Sequence, residues 1–394
     1  MPIGFLRRRF INYLQEFIHD SRAIGIILLS CTVVSLLVAN TEIGPVINEW
    51  LVAEWHPLES IHLPHSILHL INDGLMAVFF FLVGMEIKRE LVVGELSSVK
   101  RALLPIAAAA GGMVMPAIIF LLFNKGTFFQ NGWGIPTATD IAFSLGVASM
   151  LGKRFPNSLK IFLTALAIID DLGAILVIAF FYGDAVKLGW LLAAGGIVLV
   201  LYWLNKKRYR FGLIQLFLGF LLWYAVFNSG IHATIAGVVF AFMVPAHELT
   251  KWEHRLHNPV NFIILPLFAL ANTAIVLNAS VLGEVWTSTL GLGVMAGLVL
   301  GKPLGIFFAC RTLVRNKVAD LPKGINWYQL FGAGIVAGIG FTMSIFITGL
   351  AYSDLQYQDI SKIAILFAAL ISIVAGVVWF RAIKNPKSID HNLR

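Results

Sequence analysis

Between Ser158 and Phe181 the chain runs almost wholly apolar, long enough to cross a bilayer, and near the midpoint stand two adjacent carboxylates, Asp170 and Asp171. A charged side chain at that depth costs roughly 2.5–3.5 kcal/mol on the insertion scale. Neighbouring residues on a helix point about 100° apart, so a single contact cannot shelter both. Each must meet a protein partner or a water-filled cavity. Whatever the chain folds into has to house this pair.

The rest of the sequence supplies a membrane domain for it. Of 394 residues 58% are hydrophobic and only 13% charged, with a mean hydropathy of +0.84. A soluble domain carries about 25% charged residues. The fold class expected is an all-α polytopic membrane protein, one domain over 1–394, with about twelve transmembrane helices near 23–39, 66–86, 102–123, 134–151, 159–182, 188–204, 211–227, 230–244, 259–279, 288–310, 327–350 and 361–380. Met1–Arg9 is basic but lacks a small-residue cleavage site, and reads as mature sequence. Cys31 and Cys310 fall in or beside apolar stretches and form neither a disulfide framework nor a thiolate site.

The net charge of +8 would fit a nucleic-acid binder, but its distribution is topological. Alternate connections hold 25 of the 29 basic residues, from Arg7, Arg8, Arg9 and Arg22 through Lys206, Lys207, Arg208 and Arg210 to Lys384, Lys387 and Arg394. The other side has only Lys125, Lys187 and Lys362. The positive-inside rule then puts both termini in the cytoplasm. The loop 40–65 is external and carries Trp50 and Trp55; its stretch Val46–Ala53 reads as a short strand or interfacial helix suited to packing or a subunit contact.

Two of the expected spans are damaged as helices. One begins Gly134-Ile-Pro-Thr-Ala-Thr-Asp140; the other, from Phe331 to Ser344, has Gly332, Gly334, Gly338 and Gly340. Gly and Pro disfavour continuous helix, and the freed backbone groups need partners or a cavity. These are the middle spans of two triplets, 102–182 and 288–380, that enter from opposite sides. Interrupted helices at corresponding places in inverted repeats point to a transporter's binding site. Gly293, Gly297, Gly301 and Gly305, spaced by four, read as a packing stripe.

Five ionisable residues lie well inside spans: Asp73, Asp140, Asp170, Asp171 and Lys302. Exposed at the bilayer centre they would together cost roughly 12–18 kcal/mol. Lys302 must pair or lose its proton, and its obvious partners are Asp140 and one of the paired aspartates. The run Gly297–Pro303 has the wrong glycine spacing, and Pro after the lysine, for a phosphate loop. If the broken spans cross, two positive and two negative half-helix ends meet; Asp140 suits the former and Lys302 the latter. Asp170 and Asp171 are then left to exchange a proton for a small hard cation such as Na⁺ or Li⁺, with Thr139 and Thr164 as further oxygens.

Several motifs resemble one family. Ala138-Thr-Asp-Ile-Ala-Phe143, Ala167-Ile-Ile-Asp-Asp-Leu-Gly-Ala174, Gly301-Lys-Pro-Leu-Gly305, Asn72-Asp-Gly-Leu-Met-Ala-Val-Phe-Phe80, Val83-Gly-Met-Glu-Ile-Lys-Arg-Glu-Leu91 and Gly230-Ile-His-Ala-Thr-Ile-Ala-Gly237 are similar to the bacterial NhaA-type Na⁺/H⁺ antiporters, over roughly residues 15–380. That family is itself a type example of inverted-repeat transporters, so the repeat reading and the resemblance are not independent. The resemblance implies an electrogenic inner-membrane exchanger of Na⁺ or Li⁺ for a larger number of protons, serving pH and sodium homeostasis without a cofactor. It implies Asp170 and Asp171 as ion and proton carriers, Asp140 and Lys302 as charge compensators, and a homodimer touching through the first external loop. It also implies pH regulation involving Glu86, Glu90, His232, Glu253, His254 and His257.

Two other chemistries compete. An intramembrane aspartyl protease needs its two aspartates on facing helices, whereas these are consecutive on one. A light-driven pump with Lys302 as a Schiff base would need an aromatic cage that the sequence does not supply around that lysine. For pH control, simple proton competition at Asp170 and Asp171 stands against a separate sensor built from Glu86, Glu90, Glu253, His254 and His257.

Overall fold

The computed structural model describes residues 21–55, 63–183, 185–207 and 209–383. Arg7, Arg8, Arg9, Arg208, Lys384, Lys387 and Arg394, both termini, and positions 56–62 of the loop expected outside lie beyond the described residues. Among the described residues every regular element is helical. In chain order these are α1 (Ser21–Ala39), α2 (Gly44–Val52), α3 (Ile67–Val92), α4 (Val99–Asn124), α5 (Ile141–Met150), α6 (Asn157–Phe181), α7 (Leu188–Lys206) and α8 (Leu213–Phe227). They continue with α9 (Thr234–Met243), α10 (Leu249–Pro259), α11 (Leu265–Asn272), α12 (Ala279–Thr287), α13 (Thr289–Arg315), α14 (Trp327–Ala337), α15 (Phe341–Ala351) and α16 (Leu355–Ala382).

Seven of these helices, α1, α3, α4, α6, α7, α13 and α16, are long and apolar enough to cross a membrane. The pair α14 and α15, bent by 48°, makes an eighth span if it counts as one. The remaining expected spans meet shorter helices. α9 has ten residues, or ~15 Å, about half the hydrocarbon thickness of ~30 Å. The stretch expected as an external strand or interfacial helix is the helix α2, with Val46 and Trp50 exposed.

Both damaged spans are broken where Pro and Gly fall. A tightly wound segment, Gln130–Thr137, contains Pro136 and gives way to extended backbone at Ala138, and α5 begins only after Asp140. Between α14 and α15 lie Gly338 and Gly340, both with negative φ (−65° and −87°), so handedness does not require glycine there. Space does: a Cβ on Gly340 would stand 3.0 Å from the Ala138 carbonyl, and one on Gly338 2.6 Å from the Leu298 carbonyl. Two interrupted stretches of backbone can approach this closely because one lacks side chains at positions 338 and 340.

The glycine stripe of α13 packs on α4. A side chain at Gly301 would meet Pro116, one at Gly297 would meet Pro136 at 2.6 Å and the Pro116 carbonyl at 3.3 Å, and one at Gly305 would run into the Gly111 carbonyl and stand 2.8 Å from Met115 Cβ. This contact holds Lys302, which follows a more widely wound turn at Gly297–Gly301, against the break. Gly305→Leu should force the helices apart and lower stability by at least about 1–3 kcal/mol. Thermal unfolding in detergent checks this, with Gly283→Ala, where an added Cβ meets nothing within 4 Å, as the control that should lose no stability.

Candidate functional site

The site is built at the crossing. The Asp140 N–H donates to the Ile339 carbonyl at 2.8 Å. Hydroxyls of Thr139 and Ser144 donate to Ala337 O and Val336 O, each at 3.1 Å, and Ser344 donates to Ile135 O at 2.8 Å. The last carbonyls of α14 are thus met by hydroxyls rather than by Lys302. Asp140 caps two helices at once. Its Oδ1 accepts from Phe143 N at 2.9 Å at the start of α5, and its Oδ2 accepts from Thr342 N at 3.1 Å and Thr342 Oγ1 at 2.5 Å at the start of α15. Each helix start carries about half a positive charge, so one buried carboxylate faces roughly its own equivalent.

The adjacent aspartates of α6 part company, as their angular offset requires. Asp170 turns to α13, and its Oδ2 accepts from Lys302 Nζ at 2.7 Å with both side chains buried. The same ammonium donates to the Thr137 carbonyl, the end of the tightly wound segment. Lys302 has Asp170 as its partner and not Asp140. Asp171, 2% exposed, has no hydrogen-bond or ion-pair partner among the described residues and borders a cavity of about 510 Å³. Asp140, Thr342 and Thr164 border the same cavity. Thr164 is seven residues before Asp171, two turns along one face of α6, and its own hydroxyl donates back to Lys160 O at 3.0 Å.

The cavity's other end is polar and exposed. Glu86, Arg89, His254, His257 and Asn258 border it there, the last three fully at the surface. Arg89 pairs with Glu90 at 3.2 Å and with Glu253 at 3.5 Å, tying α3 to α10. Burial pushes the Glu253 carboxyl above its ordinary range, and the charges of Arg89 and His254 pull it partly back. Four of the six residues expected to govern pH response therefore flank or line one mouth with Glu90 beside them, whereas His232 stands elsewhere. Its Nε2 lies 3.4 Å from Asp73 Oδ1, while His69 Nε2 lies 2.9 Å from Asp73 Oδ2. Along α3 the interval from Asp73 to Glu86 is ~20 Å, so these groups are at opposite ends of the helix.

Thr139 is fully buried at the crossing, with its hydroxyl on Ala337 O, and does not border the cavity. Thr342 does, and sequence reasoning missed it. The available signal was a hydroxyl residue two positions after the glycine break, where a capped helix start needs an acceptor or its relay. Lys362, near the start of α16, is also only 9% exposed. The geometry speaks against a shared-proton dyad, because Asp170 is turned to Lys302 and Asp171 to the cavity. Lys302 is committed to Asp170 and Thr137 and does not border the cavity, which leaves no place for a Schiff-base chromophore.

A family model described as Na⁺/H⁺ antiporter 1 matches residues 15–380. The chain belongs to that family. Among curated relatives, the Na⁺/H⁺ antiporter NhaA of Cytophaga hutchinsonii is 46% identical over 385 residues, covering 95% of this chain and 96% of the relative. NhaA 2 of Flavobacterium johnsoniae is 49% identical over 388 residues, covering 96% and 94%. NhaA of Psychrobacter arcticus is 43% identical over 385 residues, covering 94% and 95%. The match to the Na⁺/H⁺ antiporter 1 family spans the crossing, the aspartate pair and both ends of the cavity.

Proposed function

We propose that the protein is a secondary antiporter of the inner membrane that exchanges cytoplasmic Na⁺ or Li⁺ for external protons, electrogenically, with Asp171 as the exchanging carboxylate. One observation carries the reading: Asp171 borders the cavity without a partner among the described residues, while its neighbour Asp170 is paired with Lys302. A desolvated carboxylate without a fixed counter-ion holds either a proton or a small cation, and the two exclude each other. Asp140 compensates the helix starts and Lys302 the end of the wound segment. Asp170 joins the cycle when Lys302 lets go, which supplies more protons per turn than cations. Family membership and the relatives' names support antiport; the larger proton number rests on this chemistry.

The same reading extends to architecture. Twelve spans, with 102–182 and 288–380 as inverted repeats whose broken members cross at the midplane, account for breaks at corresponding places. The distribution of Lys and Arg supports cytoplasmic termini and a cavity open to the cytoplasm. The exposed apolar residues of α2 support a homodimer touching through the first external loop, 40–65.

In everted vesicles holding a proton gradient, Na⁺ or Li⁺ should dissipate ΔpH and K⁺ should do little; an undisturbed gradient over the neutral-to-alkaline range would sink the antiport reading. The same assay separates the two accounts of pH control. Competition at the aspartates makes apparent Na⁺ affinity fall as pH drops, and saturating Na⁺ restores most low-pH exchange. A sensor at Glu86, Glu90, Glu253, His254 and His257, or at the remote His232, instead imposes a block that Na⁺ cannot lift. Competition needs no further residues and is the reading adopted; identical pH profiles at limiting and saturating Na⁺ would overturn it.

A further inference from the structure

The tightly wound segment Gln130–Thr137 is tied down at both ends. At its inner end Lys302 holds the Thr137 carbonyl. At its outer end two tyrosines hold it. Tyr182, the residue after α6, donates its hydroxyl proton to Asn131 O at 2.7 Å and accepts from Gly134 N at 3.2 Å. Tyr352, the residue after α15, donates to Phe129 O at 2.8 Å. Aromatic contacts close the gaps: Trp133 packs on Phe181 at 5.0 Å, and Phe129 on Tyr357 at 5.1 Å. Gly132 and Gly134 are glycines for a reason of space, since a Cβ on either would strike the hydroxyl of Tyr352 or Tyr182 respectively.

This assembly lies at the end of the molecule opposite the cavity mouth. α4 begins beside the end of α3, where Arg89 borders the mouth, and crosses ~39 Å before the chain reaches Gln130. Alternating access requires the ion site to open on that opposite side as well. The segment that stands in the way has its two hydroxyl anchors at the ends of α6, which carries the aspartates, and of α15, which Asp140 caps. We propose that Tyr182 and Tyr352 are positioning residues that latch Gln130–Thr137 over the outer side of the ion site, and that their hydroxyl bonds must release before Asp171 can be reached from outside. The proposal rests on the antiport reading above.

Tyr→Phe keeps each ring and removes only the hydroxyl. One such bond is worth about a fivefold shift in an equilibrium, two independent ones about 25-fold and three about 125-fold. A reporter Ile135→Cys, in a chain carrying Cys31→Ser and Cys310→Ala, reads the opening through its rate of reaction with a membrane-impermeant maleimide. Spheroplasts expose the outer face and everted vesicles the cytoplasmic face. Outer-face labelling should rise about fivefold in Tyr352→Phe, which loses one bond, about 25-fold in Tyr182→Phe, which loses two, and about 125-fold in both, with cytoplasmic-face labelling unchanged. Equal outer-face rates in parent and variants would overturn the latch. So would a rise from both faces, which is what a merely loosened fold produces. If the double variant does not fold, the single variants decide by the same criterion. Labelling does not depend on exchange, so failure of antiport itself would appear in the ΔpH assay instead.

Discussion

Asp171→Asn should abolish Na⁺-dependent exchange while leaving the protein at least as stable as the parent. The amide keeps the shape but cannot carry a charge or titrate. Losing the carboxylate's pairing with a desolvated cation costs about 3 kcal/mol or more, which is about 100-fold or more in affinity. Stability goes the other way, because the side chain is 2% exposed with no partner among the described residues, and a neutral group is cheaper to bury. Na⁺ binding by calorimetry, with its released protons, and thermal unfolding in detergent measure the two effects separately. Parent-like turnover would refute the assignment of Asp171. Lost binding together with a large drop in melting temperature would mean that the carboxylate holds the fold instead.

Lys302 is expected to show the reverse balance. Lys302→Met leaves Asp170 as an unpaired buried charge and frees the Thr137 carbonyl. Breaking a buried pair on one side costs about 3–5 kcal/mol. Adding Asp170→Asn should return much of that loss, since the second substitution removes the orphaned charge. A double-mutant cycle on thermal stability reads the coupling, and additive losses would show that the 2.7 Å contact contributes nothing. Exchange in Lys302→Arg then separates two roles. Arginine compensates a charge but cannot release a proton, so retained exchange marks Lys302 as a compensator and lost exchange, in a folded protein, as a proton carrier. Compensation is the expected result, because the ammonium is already shared between Asp170 and a helix-end carbonyl.

The places where the chain could not be ordinary helix were legible in the sequence. Pro136 lacks a donor and Gly338 and Gly340 lack side chains, and such local facts act whatever the surroundings. So were the ionisable residues too costly to leave in lipid, and the family motifs around Asp140, Asp170, Asp171 and Lys302. Element length was less legible: α3 runs on past the expected end at 86 to Val92, so Arg89 and Glu90 also sit on the same helix as Asp73, because hydropathy falls before hydrogen bonding stops.

Partnership was left to the tertiary structure. The sequence places Asp170 and Asp171 about 100° apart, but only the position of α13 decides that Asp170 takes Lys302, 132 residues away, and that Asp171 takes the cavity. Asp140 was matched to helix starts from its sequence context, yet Thr342, 202 residues distant, became visible as its second donor only when the two breaks crossed. His232 was grouped with the mouth residues by resemblance, and the fold sets it beside Asp73 at the other end of α3. Local propensity and the cost of burying a charge act within a few residues of chain, and a sequence displays them directly. Which buried charge meets which partner is a matter of through-space distance between helices, and that exists only once they have packed.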